Sequence, residues 1–382
     1  MEKQALSYRL TIVVPSLSLG GAEGVAAMMA NYWAKQEQAV TLITLDSAET
    51  DTFALEEGVQ RIALDLMQDS GNLFQAISNN RLRINYLQAA IARSQPDVVI
   101  SLTDRMNVLT LLATGKMRCP VFISERSDPR HHPIGRLWSF LRKRTYPRAR
   151  TLVVQTQGVA DFCRQWLKST HIEVIPNAVP VPRSPEVPAV SAETLAVRTP
   201  SKVILGLGRL SHEKGFDRLL GAFASVAAEF PDWRLRILGE GPLRELLQEQ
   251  INKRGLQEQV ELPGWTAEPE LQLDQGAIFV LPSRYEGFPN ALLQAMSRGL
   301  ACISYDCESG PAEMIRSETN GLLVPADSVS ELAQALKRLM GDEALRHRLA
   351  VAALQVTERF SVEKYFLHWE QLIDQAISES KT

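Results

Sequence analysis

The sequence predicts an α/β protein made of two doubly wound domains, and three observations carry that prediction. Short β-rich apolar runs alternate with helical stretches from end to end, the pattern of βαβ units on a mostly parallel sheet. The alternation stops once, where residues 176–200 hold six prolines, and then restarts. A length of 382 residues suits two domains of the usual roughly 150 residues.

The elements follow in order. Residues 10–15 read as a strand, 22–34 as a helix and 40–45 as a strand, with further strands at 97–101, 121–124, 151–154 and 172–175. After the proline-rich segment come a strand (203–207), a helix (216–229), a strand (235–238) and a helix (243–253). A strand at 278–281, a helix at 291–298 and a strand at 301–305 precede helical patterns at 330–340, 343–356 and 362–377. In such sheets ligands bind beyond the carboxyl ends of the strands.

Composition excludes several classes. At 45% hydrophobic and 22% charged residues, the chain is neither disordered, collagen-like nor a coiled coil. Its longest largely apolar stretch, 219–228, is about half of a membrane span. No secretory leader is expected at the N-terminus. Cys119, Cys163, Cys302 and Cys307 form no C-x-x-C pair, so a reducing, cytoplasmic setting is expected. The net charge of −3 hides a polarity: residues 1–180 hold twenty basic and sixteen acidic side chains, a balance of +4, and the remainder carries −7.

Three constellations carry chemistry. In Ser16-Leu17-Ser18-Leu19-Gly20-Gly21-Ala22-Glu23, Gly20 and Gly21 either serve a tight turn or let the backbone approach an anion or a sugar at a helix N-terminus. In Gly206-Leu207-Gly208-Arg209-Leu210-Ser211-His212-Glu213-Lys214-Gly215, Ser211 stands where a dinucleotide fingerprint needs glycine or alanine, so that match fails. Arg209 and Lys214 on this loop are either solvated or suited to a diphosphate. At ~4 Å and an effective dielectric of ~20 each such contact is worth about 4 kcal/mol before desolvation. The third segment runs from Leu281 to Met296: a strand end, a Gly/Pro loop, and a helix starting near Pro289 or Asn290 whose free N–H groups suit an anion. Glu286 in that loop either bonds hydroxyls or caps the helix, and Gln294 lies about one turn in.

Together these segments resemble glycosyltransferase family 4, retaining enzymes of the GT-B fold that use nucleotide sugars. The resemblance also rests on Val174-Ile175-Pro176-Asn177-Ala178-Val179, Leu238-Gly239-Glu240-Gly241-Pro242, Leu262-Pro263-Gly264-Trp265 and Asn320-Gly321-Leu322-Leu323-Val324-Pro325. Asp306-Cys307-Glu308-Ser309-Gly310-Pro311-Ala312-Glu313 is similar to bacterial transferases of exopolysaccharide, O-antigen and lipid-linked oligosaccharide assembly.

The resemblance implies two Rossmann-like domains facing across a cleft. An acceptor domain is expected at 1–177, with 362–382 crossing back to it, then a linker at 178–200 and a donor domain at 201–361. It implies that Arg209 and Lys214 hold the donor diphosphate and that Glu286, the first acid of an E-x7-E motif, lies near the transferred sugar. Gly20, Gly21, Gly239, Glu240, Trp265, Gly287, Phe288, Pro289, Asn290 and Gln294 are its further donor-binding residues. The backbone around 239–242 and 264–266 is expected to hold the base. Gln294 departs from the family, where an acid usually contacts the ribose. Glu125 stands where many relatives have histidine, and with Asp128 and His131 it is an acceptor-side candidate. The implied co-substrate is a nucleotide sugar, a UDP-sugar by preference, with no other cofactor and no metal. The implied acceptor is lipid-linked or a polysaccharide precursor. A soluble acceptor, or a non-catalytic sugar-nucleotide-binding scaffold hinted at by Gln294, fits the same residues.

Residues 129–150 hold seven Arg or Lys and no acid, with Leu137, Phe140 and Leu141 at helical spacing. Such a segment either lies on an anionic membrane through Arg136, Trp138, Arg142, Lys143 and Arg144, or is an ordinary helix with its apolar side inward. The first reading implies a peripheral place on the inner face of the cytoplasmic membrane. No nucleic-acid-binding motif is present, and no nucleic-acid partner is expected.

Overall fold

The computed structural model describes residues 8–18, 20–67, 71–179, 188–196 and 202–380. The proline-rich linker expected at 178–200 lies in part outside them. The chain divides into two compact units, Met1–Pro176 with Phe366–Thr382, and Asn177–Tyr365.

The first unit is a parallel sheet of β1 (Arg9–Val14), β2 (Ala39–Thr44), β3 (Val59–Ala63), β4 (Val98–Leu102), β5 (Val121–Ser124), β6 (Thr151–Val154) and β7 (His171–Val174), in the order β3-β2-β1-β4-β5-β6-β7. Helices α1 (Gly21–Lys35), α2 (Leu73–Ser94), α3 (Asp104–Ala113), α4 (Arg136–Thr145) and α5 (Gln157–Trp166) connect them. Leu87 and Ile91 of α2, Leu109 of α3, Leu141 of α4 and Cys163 of α5 share one apolar core with the sheet. An aromatic cluster forms apart from that core. Trp33 of α1 meets Phe366 edge-on with centroids 5.5 Å apart, Tyr32 stacks on Phe366, and Trp369 meets Phe122 of β5. The last helix, which carries Phe366 and Trp369, therefore belongs to this unit by its packing.

The second unit has six parallel strands: β8 (Val203–Leu207), β9 (Arg234–Leu238), β10 (Val260–Gly264), β11 (Ile278–Leu281), β12 (Ala301–Asp306) and β13 (Leu322–Pro325), ordered β10-β9-β8-β11-β12-β13. Its helices are α6 (Ala192–Ala196), α7 (Phe216–Val226), α8 (Arg244–Lys253), α9 (Pro269–Leu273), α10 (Asn290–Ser297), α11 (Pro311–Met314), α12 (Val329–Gly341), α13 (Glu343–Ala353) and α14 (Val356–Arg359). The final helix is α15 (Val362–Ser380). Phe223 of α7, Leu247 of α8 and Leu336 of α12 make one core with the sheet. Leu292, Leu293 and Met296 of α10 pack with Val356 and Phe360 in another.

Sequence patterning did not foresee β3, β10 and β13, and each is an edge strand. An edge strand has one hydrogen-bonded neighbour and need not be a continuous apolar run. In β10 the register also shifts between Glu261 and Gly264, around Pro263, a residue confined to edges and bulges. The single helix expected at 343–356 is two, α13 and α14.

Replacing Phe366 by Ala removes a fully buried ring from the aromatic cluster. It should cost the first unit about 3–5 kcal/mol. Urea unfolding followed by separate probes in each unit should show an earlier transition for the first and an unmoved one for the second.

Candidate functional site

Strand order reverses between β1 and β4 in the first unit and between β8 and β11 in the second, and ligands of open α/β sheets bind beside such switch points. In the second unit the loops after β8, β9 and β10 are tied together. The Gly208 N–H donates to the Leu238 carbonyl at 3.0 Å, Leu210 N–H to the Glu240 carbonyl at 2.9 Å, and Gly239 N–H to the Gly264 carbonyl at 2.8 Å. Gly239 has φ +137°, and a Cβ there would lie 2.0 Å from the Gly208 carbonyl oxygen, so only glycine permits this approach. Trp265, next in chain to Gly264, is 51% exposed, and Glu240 pairs with Arg244 at 3.0 Å.

The β8 and β11 loops are joined more strongly. The Arg284 N–H donates to the Glu213 carbonyl at 2.8 Å. Its guanidinium donates to both Asp217 carboxylate oxygens, at 2.9 and 2.7 Å, and to the His212 carbonyl at 2.6 Å. Gly215, at φ +66°, leaves no room for a Cβ beside the Pro282 carbonyl. Inside this frame Lys214 Nζ meets Glu286 Oε1 at 2.8 Å, and Ser283 Oγ donates to the same oxygen at 2.6 Å. Glu286 is 7% exposed and Lys214 26%. Burial alone would lower the Lys214 pKa, but the attraction of Glu286 outweighs it and raises it. Lys214 therefore stays charged. Arg209 is exposed, and among the described residues its guanidinium has no ion pair or hydrogen bond.

The loop from Glu286 into α10 is braced from several sides. Asn177 Nδ2 donates to Asn290 Oδ1 at 2.8 Å, and Ser309 Oγ to the Gly287 carbonyl at 3.3 Å. The buried Phe288 ring meets Phe360 edge-on at 6.0 Å, so Phe288 anchors the loop in the core and does not face a ligand. Gln294 Nε2 donates to Glu270 Oε1 at 2.6 Å.

In the first unit the N-terminus of α1 is filled by the chain itself. The half-buried Glu23 carboxylate folds over Gly20, where a Cβ would collide with it. Burial raises its pKa against the opposing pull of the Glu23 and Ala22 N–H groups. An anion at Gly20 and Gly21 would have to displace that carboxylate. Asp128 is buried, with its two oxygens taken by the Arg130 guanidinium, and His131 lies in the turn that follows.

Glu125 is 1% exposed and accepts a hydrogen bond from Tyr146 at 2.6 Å. Arg142 Nε lies 3.4 Å from the same oxygen, Oε1. Arg142 is thus buried, and Trp138 is half-buried with Arg105 over its ring. This corrects the expected membrane-facing set on α4. Arg142 and Trp138 turn inward, which leaves Arg136, Leu137, Phe140, Lys143 and Arg144 exposed. It also removes Glu125 and Asp128 from direct reach of an acceptor.

Two sequence families cover most of the chain: "Glycosyl transferase 4-like domain" matches residues 20–178 and "Glycosyl transferases group 1" matches 191–356. The chain belongs to the glycosyl transferases. It is 35% identical over 239 residues to an exopolysaccharide phosphotransferase of Streptomyces coelicolor, covering 61% of this chain but only 24% of that protein. It is 25% identical over 366 residues to the GalNAc-alpha-(1->4)-GalNAc-alpha-(1->3)-diNAcBac-PP-undecaprenol alpha-1,4-N-acetyl-D-galactosaminyltransferase of Campylobacter jejuni, covering 96% of this chain and 98% of that one. Its fold matches Anabaena HepE solved with UDP and glucose, with a TM-score of 0.78 at 18% identity over 96% of this chain and 99% of that one. The two Rossmann-like units are those of a GT-B glycosyltransferase.

In this glycosyltransferase the second unit brings Arg284, Asp217, Ser283, Asn177 and Glu270 to the loops that carry Lys214 and Glu286 and to Gln294 of α10. Sequence reading selected none of the five. Arg284 and Ser283 stand inside the quoted Leu281–Met296 segment, and Asn177 inside the quoted Val174–Val179 segment. Asp217 and Glu270 carry no motif signal at all.

In the first unit, burial raises the Glu125 carboxyl to about 7, against the pull of Arg142. From its ordinary range up to that value, the folded unit holds a proton that the unfolded chain has lost, so stability falls as pH rises through this window. Urea unfolding at pH 5 and pH 8 should show a loss for the wild type about 3 kcal/mol larger than for Glu125→Gln.

Proposed function

We propose that this glycosyltransferase moves a hexose or N-acetylhexosamine from a nucleotide sugar, a UDP-sugar by preference, to a lipid-linked or polysaccharide-precursor acceptor in cell-surface glycan synthesis. The configuration at the transferred carbon is retained. The observation that carries this reading is the Lys214–Glu286 pair at the β8/β11 switch point, with the open cation of Arg209 on the same loop. The C. jejuni relative is named for a PP-undecaprenol-linked acceptor, and the Anabaena neighbour holds UDP and glucose.

Charge development explains the division of labour. Breaking the sugar–diphosphate bond builds positive charge on the sugar carbon and negative charge on the leaving diphosphate. Lys214, Arg209 and the N-terminus of α10 supply the countercharge, fixed in place before the reaction begins. These groups suffice without a metal ion. Glu286, held by Ser283 and Lys214, accepts a hydrogen bond from a hydroxyl of the donor sugar. The acceptor oxygen attacks from the face that the diphosphate leaves, and a diphosphate oxygen takes its proton.

The exposed residues of α4 support contact with an anionic membrane. Leu137 and Phe140 reach solvent beside Arg136, Lys143 and Arg144. Helix α2, which shares the α4 core, adds exposed Phe74, Ile77 and Tyr86 and has arginines but no acid. Favourably placed cations each contribute roughly 1 kcal/mol to such contact.

Lys214→Ala should lower turnover at saturating donor by about 10²-fold or more. Near-normal rates would overturn the diphosphate assignment. In vesicle sedimentation, the Lys143→Glu/Arg144→Glu double variant should lose binding to phosphatidylglycerol vesicles while the wild type keeps it; equal sedimentation of the two would remove α4 from the membrane contact.

A further inference from the structure

The first unit holds a cavity that neither the donor nor the acceptor reading uses. It measures about 470 Å³ and lies at the amino ends of β5 and β6. Thr114, just past α3, and Glu379 of α15 line it together with Arg118, Cys119, Arg148 and Arg150. The Arg150 N–H donates to the Val121 carbonyl at 2.8 Å, which sets Arg150 beside the first residue of β5. Ligands of open α/β sheets bind at the opposite, carboxyl edge. A second cavity of about 400 Å³ shares Met117, Arg118 and Cys119 with the first.

Among the described residues, three guanidinium groups line the larger cavity against one carboxylate. That carboxylate, Glu379, pairs with Arg150 and also accepts from Gln375 Nε2 at 2.9 Å. Arg118 and Arg148 are exposed, and among the described residues neither makes an ion pair or a side-chain hydrogen bond. Arg148 closes the short 3₁₀ turn that follows α4, Tyr146–Arg148, and its guanidinium reaches Gly115, where a Cβ would lie 3.7 Å from it. The carboxyl end of α3 there offers only about half a negative charge. In the smaller cavity Arg9 is by contrast spent on Asp97, at 3.1 Å. Cations gathered around one cavity repel each other, and an anion among them removes the cost.

Guanidinium forks match the oxygens of a phosphate in pairs, better than any other side chain does. We propose that Arg118 and Arg148 bind a phosphate group in this cavity, with Arg150 adding positive potential while Glu379 holds it. The cavity is larger than one phosphate and falls in the usual size range of small-molecule sites, so the ligand has an organic part beside its phosphate. A soluble phosphorylated compound and a phospholipid headgroup share that chemistry. The site lies wholly in the first unit and does not depend on the donor reading. Cys119 supplies a reporter within it, because it is half-buried whereas Cys163, Cys302 and Cys307 are buried.

The test labels the full-length protein with a maleimide and follows Cys119 by mass spectrometry, so that binding in the second unit is not read. The probes are inorganic pyrophosphate, and phosphatidylglycerol vesicles compared with phosphatidylcholine vesicles. Pyrophosphate or phosphatidylglycerol should slow Cys119 labelling in a saturable way. Protection by pyrophosphate assigns a soluble phosphorylated ligand; protection by phosphatidylglycerol alone assigns a lipid headgroup. Arg118→Gln and Arg148→Gln should each raise the half-protecting concentration by about 10- to 100-fold, as expected for losing hydrogen bonds between charged groups. Without ligand, both variants should unfold at the wild-type temperature or above it, because each removes an uncompensated charge, whereas an arginine with a structural role would be missed. No saturable protection by either probe, equal protection by sodium chloride at matched ionic strength, or unchanged protection in both arginine variants would overturn the site.

Discussion

The Lys214–Glu286 ion pair is the contact on which the chemistry of the second unit depends. It joins loops that leave two neighbouring strands, β8 and β11, and residues 72 apart in sequence. A buried ion pair is not a cheap source of stability, because each charge loses its hydration. Here the loss is offset by position and by further bonds. Ser283 gives Glu286 a second donor, and Arg284 clamps Asp217 and the His212 carbonyl beside the pair. Gly215 and Gly239 let the loop backbones close to a distance that any side chain would prevent. The frame fixes the ammonium before a ligand arrives, and pre-fixed charge is what stabilises a leaving diphosphate.

The same constraint explains the charge polarity of the chain. The half that carries the donor-type loops has a net charge of −7, the wrong sign for attracting a nucleotide over distance. Bulk charge beyond a Debye length of about 8 Å is screened in physiological salt. What matters is the sign within a few ångströms of the switch point, where Lys214 and Arg209 stand on one loop. The acids of this unit are largely spent elsewhere, in pairs such as Asp217 with Arg284, Asp274 with Arg298 and Glu318 with Arg338. The positive half gathers its excess in residues 129–150, of which Arg130 is spent on Asp128 and Arg142 on Glu125.

Much of this was legible in the sequence, and the rest failed for identifiable reasons. Interior strands read clearly because burial on both faces makes them continuous apolar runs, whereas β3, β10 and β13 did not. Lys214 and Glu286 stood out as chemistry-bearing residues on strand-end loops, but their mutual contact depends on strand order, which no local pattern reports. Helix α4 misled for a different reason. Its apolar residues Leu137, Phe140 and Leu141 look like one face. The inward face is instead Trp138, Leu141, Arg142 and Thr145, at spacings of three, four and seven. Arg142 turns inward because Glu125 waits there, at the end of another strand. A rule that keeps arginine outside rotates the helix wrongly.

Three buried carboxylates show how such exceptions carry information. Glu125 has Arg142 and a tyrosine hydroxyl, and its charge is absorbed by a cluster inside the first unit, so its burial is structural. Glu286 has Lys214 and Ser283, and its cation is one that a diphosphate would also claim, so its burial is poised for exchange of partners. Glu270 accepts from the Gln294 amide and, among the described residues, pairs with no cation; it stands in the first turn of α9, where the free helix N–H groups favour a carboxylate. The less a buried charge is balanced by its own chain, the more its retention calls for a ligand. By that ordering Glu286, whose cation a diphosphate would also claim, points to a ligand more strongly than Glu125 does.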